Sequence, residues 1–526
     1  MADDKLEINI YPKKIIKNTL YAAAGNWIVL ILNFLIIPFI IGKLGIELYG
    51  SAWVIGILII ASAPLIDFGI GAASIKYISE YHAISRYDRI NSLISTAIFY
   101  YFIFGVLLFL SVLFFGKNII YLIGVPTAYS FDAYFVMLIS TLILVITNTL
   151  SPLTSVLNSL QRMDISNKIG IFTAVINIIQ IIAVLSSNLG IKGLIIGYLV
   201  VNCISTFLFI YFSFKLLPQL QPRLSLINKQ TFKLIWDFGI NLQISRLSQI
   251  VVFQFDRIFA LRYFGSSSAA FYEIAAKISN LARTIPLVLT SAIMPVSSEM
   301  DARRENDKLK ILFERGSKYI IVIGLLLLGY IFMMSQIIIQ TWLGKTVSID
   351  GIMTASMVLK ILIVGYFINV STGIASSIAA GINRTDIERN VGLYSFASPV
   401  LTIILINSLG YYGIALSTGI LLILGSLYYM IQFTKAIKAQ LIAFMKLFLK
   451  PMISLIVAII VIAAVQYKSN FTVLHSRWEG IAFLIFYFII FSISYSIPIY
   501  LLGVVDEYDK SILKMLAVKL RIVKTK

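Results

Sequence analysis

Residues 91–116 read NSLISTAIFYYFIFGVLLFLSVLFFG, twenty-six positions without one charged side chain. Coiled as a helix, such a stretch is about 39 Å long, and the hydrocarbon core of a bilayer is about 30 Å thick. A chain in lipid has to satisfy its own backbone hydrogen bonds, so an apolar run of this length spans as an α-helix. Similar runs recur outward in both directions. Fourteen spans are expected, including span 1 at 18–41, span 2 at 50–75, span 7 at 234–262, span 8 at 269–296 and span 10 at 351–380. The chain is 59% hydrophobic and 13% charged, where ordinary soluble domains carry ~25% charged residues. The longest polar stretch, near 297–318, is too short for a soluble domain. The fold class is therefore an all-α polytopic membrane protein.

Composition also closes several functional classes. Cys203 is the one cysteine, and His82 and His475 are the only histidines, so a disulfide framework and a histidine metal site are not expected. The net charge of +19 could suggest a nucleic-acid partner. Topology accounts for it better, and no nucleic acid is expected. The N-terminus, the even-numbered loops and the C-terminus hold 31 Lys and Arg, against seven in the odd-numbered loops. The positive-inside rule then places both termini in the cytoplasm, and the expected location is the plasma (inner) membrane.

The chain also repeats itself at about 220 residues. Leu189-Gly190-Ile191-Lys192-Gly193 returns as Leu409-Gly410-Tyr411-Tyr412-Gly413, Gly45 returns as Gly265, and Arg162-Met163-Asp164-Ile165 returns as Arg384-Thr385-Asp386-Ile387. Six spans separate the copies, an even number, so the two six-helix repeats are parallel. Such repeats are expected to form two lobes about an axis along the membrane normal, with a cavity between them. The expected divisions are an N-lobe over 1–222, a C-lobe over 223–445, and two additional spans with a basic tail over 446–526.

The loops carry a family resemblance. Gly42-Lys43-Leu44-Gly45-Ile46-Glu47-Leu48-Tyr49-Gly50 resembles the loop after the first span of polysaccharide flippases, and Asp67-Phe68-Gly69-Ile70-Gly71 their Asp-x-Gly segment. Asp256-Arg257-Ile258, followed by Tyr263-Phe264-Gly265 and Tyr272, resembles their seventh span and its loop. The glycine pairs at 190/193 and 410/413 match as well. Over about residues 15–500 the chain resembles Wzx-type lipid-linked oligosaccharide flippases of the multidrug/oligosaccharidyl-lipid/polysaccharide (MOP) exporter superfamily. The resemblance implies a MATE-like two-lobed fold, often with two added helices, and a cationic cavity for the pyrophosphate of a polyprenyl-linked glycan.

The candidate site comes from the residues themselves. Arg246, Arg257, Lys277 and Arg283 stand inside spans 7 and 8, and Lys360 inside span 10. A cation near the bilayer centre costs roughly 2.5–3.5 kcal/mol on insertion scales, so it normally faces a protein interior or a wet cavity. Gln243, Arg246, Gln254 and Arg257 form one polar stripe, the two arginines about 20° apart around the helix and about 16 Å along it. Arg257 and Lys277 have Asp256 and Glu273 close by, and Glu273–Lys277 is an i,i+4 pair. The alternative for these four is a set of interhelical salt bridges holding the lobe together. Arg246 and Arg283 have no acid within a helical turn, and the guanidinium fork suits phosphate, so they are the preferred anion site. Asn26 stands at the repeat equivalent of Arg246. Asp67 reads either as a coupling or gating carboxylate or as a helix-end group bonding nearby amides, and the second reading is preferred.

These features together point to a transporter, not an enzyme, that flips a polyprenyl-pyrophosphate-linked oligosaccharide by alternating access. The partners are the polyprenyl-phosphate-linked glycan, membrane lipids, and downstream polymerase or export proteins. No cofactor is expected beyond H+ or Na+ as a coupling ion, with downstream consumption as the other source of drive. An ion-coupled MATE-type drug exporter is the first alternative. It would be expected to line its cavity with carboxylates. A membrane glycosyltransferase or ligase is the second, and the external loops hold few acid/base residues for it.

Overall fold

The structure is a computed structural model and describes residues 28–290, 293–469 and 476–511. Among the described residues it is all helix and bend, with no strand. Described helices overlap the expected span positions, span 1 from residue 28 onward. Ten are long and apolar enough to cross a membrane, and an eleventh is counted when Ile28–Leu44 and Ile46–Ala61, which meet at 119°, are taken as one broken span. Span 7 (Lys229–Phe264) and span 8 (Ser266–Leu287) are long enough but too polar for that set. The side chains that make them polar include those of the candidate site.

Contacts group the chain into two compact units. One gathers the chain up to Ile274 with Gly392–Ile414, and the other gathers Ala275–Val391 with the chain from Ala415 onward. The boundary falls inside span 8. The contact division thus places span 7 with spans 1–6, and the division at 222 and 445 rests on the repeat alone.

In the first unit span 4 (Thr127–Ser159) packs on span 3 (Tyr87–Leu122), on span 6 (Gly190–Leu216) and on the halves of span 2, while span 7 packs on spans 2, 3 and 11. Span 2 is broken. It turns at Ser62 and again at Phe68-Gly69, both in the left-handed region with φ of 44° and 74°. The second break brings backbone against backbone. A Cβ on Gly69 would stand 2.3 Å from the Gly239 Cα, and one on Gly239 would stand 2.0 Å from the Phe68 carbonyl oxygen. Only glycine allows both the turn and that approach.

Residues 217–228, which join span 6 to span 7, lie along span 3. The Asn91 amide donates to the Gln219 carbonyl at 2.9 Å, and its oxygen accepts from the Gln221 N–H at 2.7 Å. Ser92 donates to the Leu226 carbonyl, Ser95 accepts from the Arg223 N–H, and Thr96 accepts from the Asn228 N–H. Four small polar residues on one face of span 3 therefore supply the partners that this irregular backbone needs. Beneath them lies a core of Ile90, Leu93, Ile94, Ala97, Leu217, Leu220 and Ile235.

In the second unit span 9 (Asn306–Leu343) packs on span 10 (Ile349–Gly381), span 13 (Leu441–Ser469) and span 14 (Arg477–Leu501). The two additional spans dock on span 9 through aromatic residues. Tyr330 rings meet Phe488 and Phe491, and the Tyr495 hydroxyl donates to the Val322 carbonyl at 3.0 Å. Past span 14 the chain returns to span 9 in an ionic clasp. Lys318 reaches Asp509 at 2.5 Å and Asp506 at 3.4 Å, and Arg315 lies over the Tyr508 ring at 4.1 Å.

The backbone repeats as the sequence does. Gly45 and Gly265 have φ of 81° and 84°, Gly124 and Gly344 have 80° and 63°, and Gly190 and Gly410 have 61° and 62°. Each pair is separated by 220 residues. The turns between spans 2 and 3, 4 and 5, 8 and 9, and 10 and 11 put Ser85, Gln161, Arg304 and Asn383 at φ of 55–59°. In each the next N–H bonds back to the carbonyl five residues earlier, the Schellman pattern. Arg162–Asp164 and Arg384–Asp386 then form the same two-bond ion pair, at 2.9 and 3.0 Å in both copies.

Candidate functional site

The hairpin of spans 7 and 8 turns on Gly265, and its arms bring equidistant residues together. Arg257 and Glu273 each stand eight residues from that glycine. They form an ion pair in which Arg257 is 4% exposed and Glu273 fully buried. Arg257 also donates to the Phe253 carbonyl. One residue along, the Tyr272 hydroxyl donates to Asp256, itself 2% exposed. Tyr49 completes the group, buried from the corner between spans 1 and 2 and within electrostatic reach of Glu273 and Arg257. That corner is a π-helical turn, Tyr49–Trp53. It is drawn against span 8 at Gly50, where a Cβ would stand 1.9 Å from the Ser266 carbonyl oxygen.

This cluster is a closed polar knot. Arg257 and Glu273 neutralise one another and the Tyr272 hydroxyl bonds the Asp256 carboxylate near the turn of the hairpin, with Arg257 held also by its own helix. A buried charge that keeps its partner avoids a desolvation penalty of several kcal/mol. The geometry is that of the interhelical salt bridge given above as the alternative for Arg257, Asp256 and Glu273.

The inner end of the stripe is also tied down. Gln243, 2% exposed, donates to the Pro64 carbonyl at 3.0 Å and so serves the broken part of span 2. Gln254 is half-buried, and its amide oxygen has no hydrogen-bond partner among the described residues. Asp67 sits at the same break, accepting from the Gly71 N–H at 2.9 Å and from the Tyr101 hydroxyl. That is the helix-end arrangement preferred above, with a tyrosine added. Asn26 lies outside the described residues, and so does the side chain of Arg246, whose backbone is helical within span 7.

The remaining cations belong to the second unit. Arg283, half-buried on span 8, lies over the Tyr366 ring of span 10 at 5.6 Å. Lys277, also half-buried, stands two turns earlier on span 8. Lys360 lines a cavity of about 350 Å³ with Phe332, Met357, Val364, Leu416 and Ile420. Gly365 of span 10 and Gly419 of span 12 (Tyr412–Ala436) close it by packing backbone to backbone. The Lys360 ammonium is 5.9 Å from the Phe332 ring, and no carboxylate among the described residues pairs with it. A lone cation on an apolar wall is a place where an anionic group attached to an apolar chain is stabilised on both counts.

The tyrosines at 49, 101, 272 and 366 were not legible as site partners. One signal was present for two of the contacts: Asp256 and Arg257 face Tyr272 and Glu273 across the turn, each partner sixteen residues on.

This architecture is shared with solved transporters. The lipid II flippase MurJ, in an inward closed conformation, superposes with a TM-score of 0.70 at 18% identity, covering 90% of this chain and 98% of that one. An inward-facing MATE-family multidrug resistance transporter of the MOP superfamily gives 0.69 at 14% identity, covering 79% and 98%. A MOP transporter from Pyrococcus furiosus, whose binding pocket is described as reversed in polarity, gives 0.59 at 15% identity, covering 81% and 97%. The fold is that of the MOP transporters, and the apolar helices make the chain a multi-pass membrane protein. The family described as polysaccharide biosynthesis protein matches residues 15–301, more than half of the chain, and the chain belongs to that family. A putative O-antigen transporter of Shigella flexneri is 24% identical over 204 residues, 38% of this chain and 46% of the relative. The match thus spans about half the length of that protein.

Proposed function

We propose that this protein flips a polyprenyl-pyrophosphate-linked oligosaccharide from the cytoplasmic to the outer leaflet of the plasma membrane, by alternating access, for surface polysaccharide synthesis. Family membership, the O-antigen transporter relative and the likeness to a lipid II flippase support the substrate class. The observation that carries the reading is the pairing of charge with apolar surface in the second unit. Arg283 and Lys360 offer positive charge on spans otherwise lined for a hydrocarbon chain. In this reading the two cations, with Lys277, neutralise the pyrophosphate while the prenyl chain stays in lipid. Energy comes from an H+ or Na+ gradient or from consumption of the flipped lipid by a polymerase or export partner.

The MATE-like exporter is kept as the second reading, because that fold superposes almost as well as the flippase does. Cells lacking the protein separate the two. Wild type is expected to clear the pyrophosphate-linked intermediate, and Arg283→Ala and Lys360→Ala to leave it accumulated while still inserting. Drug tolerance restored by wild type, with no change in the intermediate, would favour the exporter.

A further inference from the structure

A second cavity of about 570 Å³ lies at one aqueous end of the second unit, where the turn into span 9 meets the end of span 12. Its walls are Arg304, Glu305, Asn306, Asp307, Lys308 and Lys310 from the first segment and Ala436, Ile437 and Lys438 from the other. Four cations therefore face two carboxylates. Lys308 is engaged by Glu305 at 2.8 Å and Lys310 by Asp307 at 3.7 Å. Arg304 and Lys438 have no acidic partner among the described residues, and both are exposed.

Their backbone makes the placement unusual. Arg304 and Lys438 sit at φ of 59° and 54°, the left-handed position of their turns. The equivalent position is Ser85, Gln161, Asn188 or Asn383 in other turns of this type. A long cation gains nothing locally from that conformation, which favours glycine and asparagine. Two turns nonetheless spend this position on a cation, and both cations line one cavity. After Lys438 the chain enters span 13 with Ile442, Met445 and Leu449 more than half exposed and Lys446 and Lys450 beside them. That is the pattern of a helix lying at a lipid surface with its lysines reaching for head groups.

We infer that this cavity binds the phosphate-bearing head group of an anionic phospholipid, with the acyl chains on the Ile442, Met445 and Leu449 face. The exposed apolar stripe beside the cavity is what selects a lipid over a free anion as the occupant. Charge and volume suit a phosphate with its glycerol, and pockets of this size commonly hold small ligands. The site is distinct from Arg283 and Lys360, and it stands whether or not the transported substrate is a lipid-linked glycan.

The test uses the full-length protein in nanodiscs of phosphatidylcholine with increasing phosphatidylglycerol. Thermal melting of wild type is expected to rise with phosphatidylglycerol and to saturate. Arg304→Gln with Lys438→Gln is expected to lose most of that rise, and glutamine is compatible with the turn because Gln161 already adopts it. Lys435→Gln, an exposed lysine outside the cavity, is expected to keep the rise. Equal loss in the Lys435 variant, or an undiminished rise in the double variant, would reduce the effect to general surface charge and overturn the inference. A rise of the same size from pyrophosphate added to pure phosphatidylcholine discs would overturn the lipid as occupant.

Discussion

Arg257 and Glu273 show how the charge of a single residue is read differently once its partner is known. From spacing alone Arg257 reads either as a cavity cation or as half of a salt bridge; in the fold it is locked to a carboxylate on the next span. Removing one partner of such a pair leaves a buried charge uncompensated and costs about 3–5 kcal/mol, while an apolar replacement of both is often close to neutral. Arg257→Met alone is therefore expected to lower the melting temperature sharply, and Arg257→Met with Glu273→Leu to recover most of the loss, as read by thermal unfolding in detergent. If the double variant recovers its stability and not its transport, Arg257 has a role at the substrate beyond the pair. At Gly69, alanine would add a Cβ into the Gly239 backbone at a positive φ. Gly69→Ala is expected to cost about 1–3 kcal/mol, seen as reduced yield of folded protein in size-exclusion chromatography. Asp509 responds to pH. Burial pushes its carboxyl up, but hydrogen bonds from Lys318, Tyr319 and the Asp506 amide hold it down at about 2, against an ordinary 3.8. A depressed carboxyl pKa contributes stability that is complete above the unfolded value and is lost as pH falls through the folded one. The clasp is thus expected to hold fully above about pH 4 and to fail toward pH 2. Melting scans of wild type against Asp509→Asn should differ at neutral pH and converge at the acid end.

Among the elements, the turns carry the most legible information. Gly45/Gly265 and Gly190/Gly410 announce the repeat in the sequence because a positive φ restricts the residue type. The turn before span 9 hid its match, since Arg304 replaces the small polar residue of its counterpart Ser85. Gly124/Gly344 was visible at the same 220-residue interval but stood among dissimilar neighbours. Residues 217–228 were legible as a polar connection and nothing more. Their attachment depends on Asn91, Ser92, Ser95 and Thr96, some 130 residues away in the chain, and no local pattern reports a contact at that distance. Asn91→Ala leaves the Gln219 carbonyl and the Gln221 N–H without their partner, at about 1–3 kcal/mol. The expected result is a linker that limited proteolysis cuts near 217–228 in the variant and spares in wild type. Equal cutting in both would mean that the other three side chains hold the linker without Asn91.

For the whole molecule, apolar runs about 20 residues long determine the fold class because lipid permits so few backbone solutions. The site was less legible for a matching reason. An unpaired cation and a salt-bridged one look alike until the opposing helix is in place. Arg257 proved paired, Arg283 lies against Tyr366, and Lys360 faces an apolar cavity. The central claim is that cations in the spans carry a lipid pyrophosphate across the membrane. It is tested most directly by reconstituting the purified protein in vesicles loaded on one leaflet with a polyprenyl-pyrophosphate-linked oligosaccharide, and measuring its arrival on the other. Wild type is predicted to move it, and Arg283→Ala and Lys360→Ala to slow it at least tenfold, the effect of about 1.4 kcal/mol in the rate-limiting barrier, with folding intact. Transport at the wild-type rate by both variants would contradict the account.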